Sequence, residues 1–525
     1  MNPPKQTNKN FWQEKEKDII IHEDGKMNII ESCVDRHASS LDSQNKIAFV
    51  FEDEKRLHER FSYLQLEKEI SRYAHYLVSF GMKEGSRVFV FLPKIKEAYF
   101  SILAAIKLGA VSAPLFEAFQ QEGLELRLER GEANLLITNK ELGQRLKNKI
   151  KGMKILIVDS DEFKEELKKQ KEEFETKLVD KKDTALMIFT SSTAGTPVAG
   201  IEIPHYALVQ QHYTAKLVLK LEKEDRYFCT AHPGWVTGSV YGIVAPLSIG
   251  SSIYIYQGHF EAKKWIDFLK ENKISVIYTA PTALRLLKND IKKKDFESVK
   301  NICSVGEHLE ESVFDFYLSI GVKIRDTYWQ TETGAIIIAA YEDKIISGSM
   351  GKAIPGINIK IIDKTIHIER PWPSMMAGIY KHEKMYKDYF SGKWFKTNDM
   401  AEEKKGNFYF IGRKDDIIKT SGERVSPLEI ENILMKHKAV REVGVIGKGD
   451  EIKGQIIKAF IVLNSTYENL NEQEREKLKE ELSLFVKQNY AGHSYPKEID
   501  FVSELPKTNS GKIIRMKLRE MEEKK

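Results

Sequence analysis

The sequence predicts an α/β protein, with a large N-terminal domain of layered α/β subdomains and a small, mobile α+β domain at the C-terminus. Three observations predict it. Short apolar runs of buried-strand type alternate with helical periodicities through most of the chain, the pattern of layered, largely parallel sheets. The composition, 42% apolar, 10% aromatic and 30% charged, is that of a globular protein and excludes collagen, coiled coil and disorder. A change of texture near residues 413–416 separates off a last stretch large enough to fold alone.

The elements follow in order. Ser62 and Gln65 form a capping box, Leu66, Ile70, Tyr73 and Leu77 repeat on one helical face, and Gly81 stands at the C-cap. "RVFVFL" (87–92) is a buried strand, followed by a helix that ends at Gly109. Strands recur at 154–159, 251–256 and 274–280, the last two separated by the helical "EAKKWIDFLKENK". The charge run 164–183 reads as a solvated surface helix. Beyond the hairpin-like "EEKKGNFYFIG", Ser426, Pro427 and Glu429 predict a capped helix burying Ile430, Ile433 and Leu434. A second helix carries Leu478, Leu482 and Phe485 on one face.

Charge and cysteine content narrow the function classes. With 82 Lys and Arg against 77 Asp and Glu, net +5, and the basic residues dispersed, there is no electrostatic footprint for nucleic acid. Cys33, Cys229 and Cys303 are an odd set with no C-x-x-C, which suits a reducing compartment and packing roles. The first residues lack an apolar h-region and no stretch reaches the about 18 apolar residues of a membrane span. A cytoplasmic protein with no membrane partner is expected.

Five polar, glycine-bearing stretches interrupt the periodic sequence. "IFTSSTAGTPVAG" (188–200) offers the hydroxyls of Thr190, Ser191, Ser192, Thr193 and Thr196 and the backbone of Gly195 and Gly200, groups that hold phosphate oxygens, yet it contains no lysine or arginine. Composition alone fits a Ser/Thr/Gly turn as well. "SVGEHL" (304–309) is the second. "IRDTYWQTETG" (324–334) joins Asp326 and Glu332 to aromatics and threonines, a set suited to a purine and to Mg²⁺, or to a plain polar loop. "WFKTNDMA" and "GRKDDIIKTSGERVSP" form a fourth. In the fifth, "LPKTNSGKIIRMKLR", Lys512 follows a Ser-Gly turn, where a lysine acts as a mobile point charge.

Their order resembles the adenylate-forming superfamily of acyl-CoA synthetases, luciferase-like enzymes and peptide-synthetase adenylation domains, and most closely its AMP-forming acetyl-CoA synthetases. The resemblance runs from "IIESCVDRHA" and "GAVSAPLFEAF" through "PGWVTGSVYGIVAPL", "SVGE", "DTYWQTETG" and "GSMGKAIPG" to "LPKTNSGKIIR". It implies an N-terminal AMP-binding domain (1–413), a hinge (414–416) at Asp415 and a mobile C-terminal domain (417–525). It implies ATP, Mg²⁺ and coenzyme A as co-substrates and cofactor, and acetate or a short-chain carboxylate as the acid. Gly306, Glu307, Asp326, Thr327 and Tyr328 match the adenine pocket, with Gln330 among the nucleotide contacts. Thr331 matches the α-phosphate contact, Glu332 the Mg²⁺ ligand, and Asp399 and Arg413 the ribose contacts. Lys512 matches the residue that bridges carboxylate and α-phosphate, Arg424 a phosphate contact, and Ser421 and Gly422 the CoA arm. Trp235, Val236, Thr237, Val305 and Trp329 resemble an acetate pocket. Lys512 also matches a site of regulatory acetylation, which implies a lysine acetyltransferase and deacetylase as partners.

The chain departs from the family pattern at several points. Ser192, Ala194 and Val198-Ala199-Gly200 replace family residues of the phosphate loop, the loop lysine among them. His232 stands for an aspartate, His308 for a proline, and Asn398 for a glycine. Two further readings share the motifs: a weakly active or non-catalytic nucleotide-binding paralogue, and an enzyme that loads a carrier protein.

Overall fold

In the computed structural model, which describes residues 8–189, 199–420, 423–450, 454–489, 495–507 and 513–524, the apolar runs become the middle strands of two large sheets. The first, among the described residues, orders Gly378–Ile379, Gly200–Pro204, Thr184–Phe189, Val111–Leu115, Arg87–Phe91, Leu135–Thr138 and Lys154–Ile157 side by side, the last five parallel. At the centre of the second, Ile324–Tyr328, Asn301–Ser304, Val276–Thr279, Arg226–Cys229, Ser252–Tyr256 and Ile47–Glu52 run parallel. Helices cover such strands on both faces, so their side chains are apolar on both sides. Phe89, Val90 and Phe91, or Ile253, Tyr254 and Ile255, are all buried.

The predicted capping box forms. Gln65 N–H donates to Ser62 Oγ at 3.2 Å and Ser62 N–H to Gln65 Oε1 at 2.8 Å, and the helix Tyr63–Ser79 buries the expected Leu66, Ile70, Tyr73 and Leu77. Each large apolar side chain so buried contributes about 1.5–3 kcal/mol. Gly81 takes φ +80° behind this helix, a conformation in which a Cβ is strained. Two expectations fail. The 164–183 segment is helical only to Lys168, and Val179–Asp180 instead pairs as a strand with Lys26–Met27. Ser426 begins the helix Pro427–Leu434 without a side-chain cap, because its hydroxyl donates to the Ile411 carbonyl.

The carboxyl ends of the parallel strands position the site. Loops leaving the first sheet after Phe91 and Leu115 meet the loop leaving the second after Cys229. His232 Nε2 donates to the Leu92 carbonyl at 3.1 Å, and the Phe116 and Trp235 rings lie 5.2 Å apart. A Cβ on Gly234 would lie 2.3 Å from Phe116 N, so the close approach requires glycine. Crevices at the carboxyl edges of α/β sheets are where ligands bind. A third, antiparallel sheet brings Thr365–Glu369, Trp394–Lys404 and Asn407–Arg413 alongside.

The last sheet pairs Ile418–Thr420 with Glu423–Val425 and Val440–Asp450 with Gly454–Leu463, and has its own apolar core around Ile430, Leu434, Val445, Ile461 and Leu482. Here Val486 is buried and Phe485 is half-buried. Its final helix, Arg515–Glu523, is fastened by charge. Buried Lys458 meets Asp500 at 2.9 Å and Glu522 at 2.5 Å, a paired arrangement that a buried ammonium requires. Arg519 Nη2 donates to Asp416 Oδ1 at 3.0 Å, and Arg515 Nη1 lies 3.5 Å from Asp416 Oδ2. The three cysteines are buried and unpaired. No helix among the described residues is long and apolar enough to cross a membrane.

Candidate active site

The strand Ile324–Tyr328 delivers Asp326, Thr327 and Tyr328 to its carboxyl end, where they are buried. Asp326 Oδ1 accepts from Ser304 Oγ at 2.6 Å and from Thr327 N–H at 3.0 Å. Burial outweighs both donors and pushes the Asp326 carboxyl up to about 7. On the neighbouring strand end Val305 is buried, Gly306 takes φ +92°, and Glu307 Oε1 accepts from Thr282 Oγ1 at 2.6 Å. His308 stacks on Phe410 at 6.4 Å, and burial pushes its imidazole down to about 4, so it is neutral near pH 7.

Asp399 and Arg413 come together through strand register, since they are direct partners in the antiparallel ladder, with Arg413 Nε 3.8 Å from Asp399 Oδ1. Asp399 Oδ2 accepts from Tyr328 Oη at 2.9 Å and Gln330 Nε2 at 2.6 Å. Asn398, the replacement for a family glycine, has φ +58°. Asparagine is among the residues that tolerate this left-handed region best, so the backbone turn before Asp399 survives the exchange.

The loop after Tyr328 is held from both sides. Gln330 N–H donates to Thr333 Oγ1 at 2.9 Å, and the Thr333 carbonyl accepts from Trp372 Nε1 at 3.0 Å and Ser374 Oγ at 2.7 Å. Gly334 has φ +69°, and a Cβ there would lie 2.0 Å from the Ser374 carbonyl oxygen. Thr331 and Glu332 stand half-buried on this loop. Glu332 Oε1 accepts from Tyr389 Oη at 2.9 Å, while burial raises the Glu332 carboxyl above the usual range. Tyr389 lies flat against Phe395, at 5.3 Å and 8°.

Trp329 belongs to an aromatic wall. Its indole meets Tyr241 edge-on at 5.1 Å, and Tyr241 meets Tyr278 at 5.5 Å. Tyr241 is presented by a π-helical turn, Val240–Val244, continuing the helix Val236–Ser239 on which half-buried Val236 and Thr237 sit. Such turns occur often at functional sites. Trp235, just before that helix, packs on Phe116. His232 clamps the same loop: Gly234 N–H donates to its Nδ1 at 2.9 Å while Nε2–H holds Leu92. Burial pushes His232 down to about 3 and so secures the neutral form that this pair of bonds needs.

The structure thus gathers Asp326, Thr327, Tyr328, Gln330, Asp399 and Arg413 at one edge and places Trp329 on an aromatic wall next to them. Thr190, Ser191, Ser192, Thr193, Gly195, Thr196, Ser421, Gly422 and Lys512 lie outside the described residues, and for Asp415 and Arg424 the backbone alone is described. Tyr389, Tyr278 and Tyr241 did not stand out in the sequence. Nothing in the residues around Tyr278 or Tyr389 signals a partner 51 or 57 residues away. Among the described residues no cluster of three or more His, Cys, Asp or Glu side chains forms a metal cage.

Comparison with known proteins follows the same outline. The AMP-binding enzyme family matches residues 36–371, and the AMP-binding enzyme C-terminal domain matches residues 429–512. An acetyl-coenzyme A synthetase of Bacillus subtilis is 40% identical, the alignment covering 97% of this chain and 93% of the relative. An uncharacterized acyl-CoA ligase of the same organism, YtcI, is 32% identical over 91% of this chain and 93% of its own. The crystal structure of a Brucella canis acyl-CoA synthetase superposes with a TM-score of 0.74 at 28% identity, covering 98% of both chains.

Proposed function

Because the chain belongs to the AMP-binding enzyme family and is an acid-thiol ligase of the acyl-CoA type, we propose that its acid is acetate or another short-chain carboxylate. The observation that carries this reading is Trp329, whose indole is packed edge-on against Tyr241 and hydrogen-bonded to Tyr278, at the position that the family resemblance puts at the closed end of the acid pocket. The 40% identity to an acetyl-coenzyme A synthetase supports it.

The proposed reaction has two steps. The acid carboxylate attacks the α-phosphate of ATP and releases pyrophosphate; the CoA thiol then attacks the acyl carbon and displaces AMP. Asp326, Thr327 and Tyr328, with Gly306 and Glu307, receive the adenine, and Asp399 with Arg413 receives the ribose hydroxyls. Tyr328 and Gln330 already hold one oxygen of Asp399 and so fix the carboxylate before the nucleotide arrives. Thr331 contacts the α-phosphate. Lys512 and Arg424 neutralise charge as it shifts from carboxylate to phosphate, which is electrostatic preorganisation, and Ser421 and Gly422 face the CoA arm.

Mg²⁺ fits Glu332. Its carboxylate accepts from Tyr389 through one oxygen, a carboxylate has lone pairs beyond that bond for a hard cation, and Mg²⁺ needs only one or two protein carboxylates when it is carried by phosphates. It would supply charge neutralisation at the phosphates. Residues 1–413 act as the adenylating domain, 414–416 as the hinge and 417–525 as the rotating domain.

Purified protein given acetate, ATP and CoA is expected to form acetyl-CoA and AMP in equal amounts. Pyrophosphate exchange into ATP that is absent with every acid tried, while ATP binds, refutes the ligase chemistry in favour of a nucleotide-binding paralogue. Exchange without thioester formation points to a carrier protein as acceptor.

A further inference from the structure

Packing is only part of what holds Trp329 in place. Its Nε1–H donates to Tyr278 Oη at 3.1 Å. The same phenol oxygen lies 2.8 Å from Thr327 Oγ1, and Thr327 Oγ1 donates to the Ser304 carbonyl at 2.6 Å. Proton counting fixes the direction of this chain. A threonine hydroxyl has one proton, and Thr327 spends it on Ser304. The Tyr278 hydroxyl must therefore donate to Thr327, and its free lone pair accepts the indole N–H. Every donor between the indole and the strand Asn301–Ser304 is used once.

Tyr278 is fully buried, and burial raises its phenol well above the ordinary value, so it keeps the proton the chain needs. Tyr241 closes the other side. Its own hydroxyl is fixed by Ile336 N–H at 2.9 Å and by Thr214 Oγ1 at 2.7 Å, and its ring stands edge-on to both Trp329 and Tyr278. Rotation of the indole would leave the phenol oxygen short of a donor among apolar neighbours, which is costly. Ser304 and Thr327 also hold Asp326 on the nucleotide side, but through different atoms, the Ser304 hydroxyl and the Thr327 N–H.

We propose that Tyr278 is a positioning residue that sets the acid-length limit, by locking the Trp329 indole across the pocket through the relay Trp329–Tyr278–Thr327–Ser304. The proposal rests on the reading of the chain as a short-chain acyl-CoA ligase with Trp329 at the end of the acid pocket. It makes the limit a property of a hydrogen-bond relay as well as of ring size.

The test is Tyr278→Phe, which keeps the ring and removes the oxygen. Pyrophosphate exchange measured with acetate, propionate and butyrate is expected to show the propionate-to-acetate ratio of kcat/KM rising about 10-fold, the range one methylene commands, with the KM for ATP unchanged. Hydrogen exchange of the Trp329 indole N–H, followed by NMR, is expected to accelerate, while that of Trp372, bonded to the Thr333 carbonyl, does not. Thr327→Val, which removes the next acceptor, should move the ratio the same way if Tyr278→Phe folds poorly, and Thr327→Ser should restore it. An active wild-type enzyme whose acid ratio and Trp329 exchange are unmoved by Tyr278→Phe overturns the lock. A wild-type protein that adenylates no acid refutes the ligase reading and the lock together.

Discussion

Asp326→Asn should alter how stability depends on pH, by an amount that follows from the carboxyl's surroundings. Asp326 is 7% exposed, and its carboxyl is pushed up to about 7 because burial outweighs the Ser304 hydroxyl and the Thr327 N–H. In an unfolded chain an aspartate titrates near about 3.9. Between those values the folded protein keeps a proton that the unfolded chain has released, so rising pH favours unfolding. The stability tied to this group is complete below about pH 4 and is lost as pH climbs towards 7. From pH 5 to pH 8 the loss corresponds to about two pK units at about 1.4 kcal/mol each, or about 3 kcal/mol. Asparagine keeps an oxygen for both donors and removes the titration. Urea unfolding of wild type and variant at pH 5, 6.5 and 8, at one ionic strength, should show the variant gaining about 3 kcal/mol on the wild type across the range. Parallel curves would refute the argument, since all other groups titrate alike in the two proteins.

Other perturbations address the chemistry. Lys512→Ala should abolish pyrophosphate exchange while sparing CoA transfer to preformed acyl-AMP, and equal loss of both half-reactions would contradict the role proposed for it. Trp329→Gly should admit longer acids, raising kcat/KM for butyrate relative to acetate by about 10-fold or more; an unchanged chain-length profile removes Trp329 from the pocket. Tyr389→Phe removes a hydrogen bond to a carboxylate, worth about 1.5–3 kcal/mol, and should raise the Mg²⁺ concentration needed for half-maximal ATP binding about 10-fold, measured by calorimetry with and without the metal. Replacing the segment around Val198 with a family-like loop that carries a lysine should speed adenylation, and an unchanged exchange rate would mean that the missing charge is not limiting.

What could be read from the sequence was local or sequential. The Ser62 capping box, the strand at 87–91 and the polar stretches at strand ends depend on neighbours a few residues away. The pairing of Asp399 with Arg413 needed only a hairpin. Tyr389 is 57 residues from Glu332 and Tyr278 is 51 from Trp329, and only the fold brings them into hydrogen-bond range. Where local preference met a tertiary alternative, the alternative won. Ser426 satisfies the Ile411 carbonyl instead of its own helix, and the tail of the 164–183 charge run is recruited as a strand by Lys26–Met27. His232, which stands for a family aspartate, uses both imidazole nitrogens to bind main chain, and no pattern of neighbouring residues announces that.

The grip of Arg515 and Arg519 on Asp416 has a mechanical meaning. Asp416 is bolted to the last helix, while Arg413 is bound into the ladder beside Asp399. In the domain rotation proposed above, Asp416 would travel with the C-terminal domain and Arg413 would stay behind. The proposed swivel would then be confined to the stretch between them, Lys414 and Asp415 with the peptide links on either side, where six backbone torsions would absorb the whole rotation. So short a bearing favours discrete positions over a continuum, and stiffening either residue with proline should jam the domain in one half of its cycle.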